Sequence, residues 1–245
     1  MSRSRNRLPV KRFRITFPPA LRRWSLTALI GLLIILGSAW SYRWLVNPQN
    51  LPLQQVVMRA PFQHVPKKLI DQHLAPYLQK NFVTLNAGQL QRALRLLPWV
   101  KSVQVQRVWP DTLVLTIEEQ QPLARWGEVG VVNMLGEVFH PDAASIPPGL
   151  PEFSGPTDMA KSMVAHYQQF QATLDKEQLK IKAVRVNPRH AWELQLDNGT
   201  VIKLGQGQHQ ERLALVVKAW PLLTKQRTKV LKTVDARYPN GIAVN

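Results

Sequence analysis

Catalysis would be written in the spacing of the histidines, carboxylates and glycines of this chain. The histidines are His64, His73, His140, His166, His190 and His209, and no two stand four apart. That step puts two imidazoles on one helix face for a metal, and no His-Glu-x-x-His run is present. Glu118 and Glu119 are adjacent in a strand-like segment. Successive strand residues face opposite ways, so the two carboxylates cannot act as an acid–base pair. Gly205-Gln-Gly207 lacks the Lys-Ser/Thr of a phosphate-binding loop and reads as a turn. No Gly-x-Ser-x-Gly elbow occurs, and the absence of cysteine excludes disulfides, thiolate chemistry and Cys-based zinc sites. The expectation is a protein that is not an enzyme and holds no cofactor or metal.

Charge and hydropathy then say where such a chain sits. Its net charge of +17 comes from 32 Lys+Arg against 15 Asp+Glu. Eight of the basic residues fall within 1–23 (Arg3, Arg5, Arg7, Lys11, Arg12, Arg14, Arg22 and Arg23), and no acidic residue precedes Asp71. Residues 24–42 carry no charge. At 1.5 Å per residue these 19 positions span about 28 Å as a helix, close to the hydrocarbon thickness of a bilayer. Trp24 stands at one end, and Trp40, Tyr42 and Trp44 at the other, where half-wet aromatic rings favour the interfaces. By the positive-inside rule the basic tail 1–23 stays in the cytoplasm, the helix 24–44 crosses the membrane, and the remaining bulk is exported. A cleaved signal peptide would have a shorter apolar run.

Periodicity organises the exported part. Leu53–Met58 reads as a strand. Leu69, Ile70, Leu74, Tyr77 and Leu78 recur at helical steps after Val65-Pro66. Asn86 suits the N-cap of a second helix bearing Leu90, Ala93, Leu94 and Leu97 and ending at Pro98. Val103 and Val105 alternate with Ser102, Gln104 and Gln106, and Leu113, Leu115 and Ile117 alternate after a turn at Pro110-Asp111, which predicts a hairpin. The order β-α-α-β-β over 50–120 gives a small α+β unit. Trp99 and Trp109 are expected as core or hairpin-packing aromatics. Arg107 either pairs with Asp111 or a glutamate, or faces a partner.

The run Leu97-Pro-Trp-Val-Lys-Ser-Val-Gln-Val-Gln-Arg-Val-Trp-Pro-Asp-Thr-Leu113, followed by Glu118 or Glu119, Pro122 and Ala124-Arg-Trp126, resembles the signature of the FtsQ family of bacterial cell-division proteins. It implies a POTRA domain over 50–120. Transport and secretion accessories also use that fold, and they form the alternative reading.

Residues 121–245 are expected to form a mostly antiparallel β domain with two helices. A hairpin is read around Asn133-Met-Leu-Gly136, a Thr157-capped helix over 158–174, and a second helix near 209–223. Strands are read at 181–186, 192–196, 200–204, 230–235 and 242–244. Asp197-Asn198-Gly199 predicts a tight turn with positive φ at both Asn198 and Gly199. The family resemblance continues through Leu150–Pro156, Arg189–Gly199, Leu204-Gly205, Glu211–Leu213 and Val234–Val244. Many members run on past the matching Gly-x-Ala-Val, whereas Asn245 ends this chain.

The resemblance implies a divisome scaffold in the inner membrane at the septum. Its C-terminal β domain would bind an FtsB-like protein paired with an FtsL-like one, with other division proteins contacting the POTRA domain. The matching positions are Arg189 and its loop, together with Arg237, Tyr238, Pro239, Asn240 and Gly241. Arg237 and Tyr238 are the expected hot spots, being residue types that dominate interface energies.

Overall fold

The computed structural model describes residues 19–47, 49–78, 81–225, 231–238 and 241–245. Most of the basic tail, Val230, Pro239 and Asn240 lie outside the described residues, as do the side chains of 19–26, Trp24 among them.

Helix α1 runs from Pro19 to Val46. Its stretch Thr27–Val46 is long and apolar enough to cross a membrane, and none of it is buried against the rest of the protein. Leu32, Leu33, Ile34, Ile35 and Leu36 are all exposed.

Strand β1 (Gln55–Arg59) and helices α2 (Lys67–Leu78) and α3 (Ala87–Arg95) precede a hairpin of β2 (Val100–Val108) and β3 (Thr112–Glu119). β3 is central: β1 pairs with it in parallel and β2 antiparallel. Asn86 caps α3 as expected, its Oδ1 accepting from the Gln89 amide at 3.0 Å. Val103, Leu113, Leu115 and Ile117 meet Ile70, Leu74, Leu90 and Leu94 in one core. The alternation that predicted the hairpin is thus the alternation between helix-facing and solvent-facing positions.

Two expectations about this unit are corrected. Trp99 is buried, but Trp109 is 65% exposed, with only a T-shaped contact on Phe82 at 5.0 Å. It stands at the hairpin tip, beyond the last core-facing pair. Arg107 reaches neither Asp111 nor a glutamate; its guanidinium donates to the Leu85 carbonyl. The reason is register: Arg107 lies opposite Leu113, two steps beyond the Val105–Leu115 pair, and so shares the helix-facing side.

The second sheet has nine strands: β4 (Pro122–Trp126), β5 (Gly130–Asn133), β6 (Val138–Phe139), β7 (Glu152–Ser154), β8 (Ile181–Val186), β9 (Trp192–Leu196), β10 (Val201–Gly205), β11 (Thr233–Asp235) and β12 (Ala243–Val244). Its spatial order is β12-β11-β10-β9-β8-β7-β4-β5-β6. Five of its eight pairings are antiparallel, while β4–β7, β7–β8 and β10–β11 are parallel. Helices α4 (Ala160–Leu174) and α5 (His209–Lys225) bury Met163, Phe170, Leu213, Val216, Val217 and Trp220 against Val184, Leu194, Ile202 and Val234.

Thr157 does not cap α4 with its side chain. It opens a short 3-10 turn, Thr157–Met159, that leads into the helix. Between β9 and β10 only Gly199 has positive φ, at 90°. The Gly199 amide closes onto the Leu196 carbonyl, and the Thr200 carbonyl accepts from the Leu196 amide. The connection is therefore a three-residue loop whose single left-handed position is the glycine, not a two-residue turn.

Candidate protein-binding edge

The C-terminal end of the nine-stranded sheet is built from three short segments. β11 runs parallel to β10, and Thr200 ties the two together by donating its hydroxyl to the Leu231 carbonyl at 2.7 Å. β12 then pairs antiparallel with β11 through Val234–Val244 and Asp235–Ala243, and is the last strand in the sheet order. Its outer backbone groups face no further described strand. Such an edge can take another chain as an added strand.

Arg237 is anchored within its own domain. Nε donates to both Asp235 oxygens, at 2.9 and 3.0 Å, and Nη2 to Oδ2 at 2.6 Å. This two-pronged pairing holds the Asp235 carboxyl below its usual range, first by the hydrogen bonds and then by charge; burial opposes it, and Lys203 adds a smaller positive field. The guanidinium remains exposed at the surface, so the pair orients an arginine instead of hiding it.

Gly205 is the residue that makes room for this arrangement. Its φ is +72°, and a Cβ there would stand 2.9 Å from Arg237 Cγ. Sequence reading treated Gly205-Gln-Gly207 only as a turn. The turn in fact carries the stem of Arg237 on one side and accepts bonds from Arg212, at the Leu204 and Gln206 carbonyls, on the other. Arg189 joins the same neighbourhood through its backbone: the Gln206 side-chain amide donates to the Arg189 carbonyl, and Asn187 Oδ1 accepts from the Arg189 amide at 2.9 Å. A cavity of about 300 Å³ lined by Asn187, Trp192, Lys203, Gly205 and Arg237 lies between the two loops.

Gly241 lies elsewhere, in an apolar groove of about 650 Å³ with Ile242, Leu215, Ala219, Leu222 and Leu223. Leu215 and Leu222 are 55% and 65% exposed, and Tyr238 is also exposed. Leu215 and Leu222 went unnoticed in the sequence. Their seven-residue step on α5, opposite the inward Leu213-Val216-Val217-Trp220 set, was the available signal. The structure therefore brings Arg189 and Arg237 together around Gly205 and sets Gly241 in a separate groove beside β12.

Behind the Trp192-lined cavity, α4 and α5 bring His166 and His209 to 5.7 Å, with Trp192 against both rings. No group of three or more His, Asp or Glu side chains able to hold a metal occurs among the described residues. Glu118 and Glu119 do face opposite ways. Glu118 pairs with Lys101 at the surface, while Glu119 is buried and accepts from the backbone amides of Gln63, His64 and Val65.

One apolar N-terminal helix long enough to cross a membrane, followed by a small α+β unit and a large mixed sheet, is the build of a single-pass membrane protein. Residues 51–120 match the POTRA domain, FtsQ-type, and residues 124–237 match the C-terminal family described as cell division protein FtsQ/DivIB. The cell division protein FtsQ of Neisseria gonorrhoeae is 34% identical over 224 residues, covering 91% of this chain and 90% of that protein. Those of Coxiella burnetii and Burkholderia pseudomallei are 34% identical over 198 residues and 31% over 222, covering 81% and 89% of this chain and 82% and 89% of their own lengths. The chain belongs to the FtsQ family of cell division proteins, which is not a family of enzymes.

Proposed function

We propose that this chain is a divisome scaffold that links early, cytoplasmic division proteins to late, exported ones across the inner membrane at the septum. In this reading residues 1–23 stay in the cytoplasm, 24–44 span the membrane, the POTRA domain occupies 50–120, and the C-terminal β domain at 121–245 captures an FtsB-like protein together with its FtsL-like partner. The POTRA domain would meet further division proteins.

The observation that carries the reading is the open β12 edge beside the Leu215–Leu222 groove. An extended segment can add backbone hydrogen bonds to the edge while an apolar side chain enters the groove. Arg237, held by Asp235, and exposed Tyr238 would supply the polar and aromatic anchors, Arg189 would act from the neighbouring loop and Gly241 from the separate apolar groove, and Pro239 and Asn240 complete the proposed set by their place in the sequence.

The test is calorimetry with the full-length chain in detergent and the exported segment of an FtsB-like protein from the same organism. Tyr238→Ala and Leu222→Asp, each folded by circular dichroism, are expected to weaken binding by about 2 kcal/mol or more. Binding unchanged in both variants would move the partner off this edge. No binding by the unaltered chain would favour the transport alternative.

A further inference from the structure

The hairpin tip of the first unit is apolar, exposed and tied to the end of α1. Asn81 is fully buried, and its Nδ2 donates to the Leu45 carbonyl at 3.0 Å and to the Asn47 carbonyl at 2.7 Å. Leu45 is in the last turn of α1, whose final carbonyls lack partners within the helix, and Asn47 follows directly after it. The next residue, Phe82, bonds its amide to the Leu51 carbonyl at 2.9 Å, and Pro52 bridges Asn81. Two residues after Pro52 the Gln54 amide donates to the Asp111 carbonyl at 3.1 Å. A continuous set of hydrogen bonds thus joins the end of α1, the Asn81–Phe82 corner and the tip of the β2–β3 hairpin.

At that tip Val108 is 42% exposed, as well as Trp109, even though the neighbouring Phe82 is almost wholly enclosed. Trp109 covers one side of Phe82 edge-on and leaves the rest of its indole outward. Exposed Trp40, Tyr42 and Trp44 already mark this end of α1. The one carboxylate at the tip, Asp111, accepts a hydrogen bond from the Thr112 hydroxyl at 3.0 Å.

We propose that Val108 and Trp109 sit in the interfacial layer of the membrane that α1 enters, so that the hairpin tip is a second contact of the exported part with lipid. This rests on the reading that α1 spans the membrane. The physical reason is that indole favours the interface, where its ring leaves water and its N–H keeps a polar partner. A tip held beside the helix end reaches that layer without unfolding anything. With the helix and the tip both engaged, the POTRA unit is set at one orientation to the bilayer instead of swinging on a linker.

The chain has no cysteine, so single-cysteine variants can be spin-labelled without background. Full-length protein would be reconstituted in phosphatidylethanolamine/phosphatidylglycerol vesicles, and collisions of each label with oxygen and with a water-soluble nickel chelate measured. Labels would stand at Val108→Cys, at Leu33→Cys within α1, and at exposed Lys176→Cys. The expected result is oxygen accessibility at Val108 several-fold above that at Lys176 and below that at Leu33. Adding Trp109→Ser should return the Val108 label to the Lys176 value, with circular dichroism unchanged. A Val108 label that behaves like Lys176 while Leu33 reads as lipid would overturn the tip contact and leave the spanning helix intact. If Leu33 also reads as water, the spanning helix fails and the tip contact fails with it. A Val108 label that stays in lipid after Trp109→Ser would overturn the role given to the indole.

Discussion

The Trp99 indole Nε1 donates to Ser145 Oγ at 2.8 Å, joining the three-stranded unit to the loop after β6 across 46 residues of sequence. His64 stacks on the same indole at 4.3 Å, and Phe139 meets it edge-on at 5.2 Å. Trp99 is thus a core residue of the first unit and a bolt between the two. Ser145→Ala is expected to cost about 1 kcal/mol, the net value of one such bond. Trp99→Ala should cost about 3–5 kcal/mol. Urea unfolding of the full-length chain in detergent, followed by near- and far-ultraviolet circular dichroism, should show one transition for the unaltered chain and two for Trp99→Ala. A single transition in the variant would mean that other contacts couple the units.

Glu119 should matter more than any other carboxylate of the first unit. It is buried at the end of β3 and satisfies three consecutive amides ahead of α2. Glu119→Ala leaves those donors without the carboxylate and is expected to destabilise by about 2–3 kcal/mol. Glu118→Ala, which loses only surface contacts with Lys101 and Ser102, should leave the denaturant midpoint almost unchanged, because water screens such contacts. Hydrogen exchange at residues 63–65 would rise in the first variant and not in the second.

Gly205→Ala tests the seat of Arg237. The added Cβ meets the arginine stem, and the left-handed φ is itself unfavourable for alanine. A loss of about 1–2 kcal/mol in stability is expected, with weaker binding at the C-terminal edge. Gly207→Ala also carries a left-handed φ but meets no atom, so it should lose stability and keep binding. Equal binding losses in the two variants would argue against a specific role for the Gly205–Arg237 contact.

His209 gives the stability a pH dependence. Burial beside Trp192 pushes its pKa below the usual histidine value, and the positive charge that His166 can carry works in the same direction. The unfolded chain then binds the proton more readily than the folded one. Stability from this site is full above the ordinary pKa near 6.5 and declines as pH falls through that value toward the lower folded one. Denaturant midpoints should therefore drop between pH 7.5 and pH 5.5, and the drop should shrink in His209→Gln. An undiminished drop in the variant would assign the dependence to other groups.

Local chemistry made much of this molecule legible before any fold was known. The uncharged run after the basic tail, the Asn86 cap, the alternation along β2 and β3, and the inward stripe of α5 each follow from a period or a cap within one segment. The strict Val-x-Val-x-Arg-x-Trp-Pro-Asp spacing carried the family resemblance for the same reason. What the sequence could not determine was every relationship set by strand order and by where side chains end up after packing. Asp235 becomes the partner of Arg237 because the backbone turns out of β11 at that point. Leu215 and Leu222 become a groove because β12 and Gly241 lie beside α5. Arg107 takes the helix-facing side by register and reaches the Leu85 carbonyl while staying exposed, Trp109 is left outside because the core ends before the hairpin tip, and His166 meets His209 only when two helices share one sheet face. A single segment specifies its own periodicity; which surfaces meet, and which edge stays open, is decided by the whole chain burying its apolar area at once.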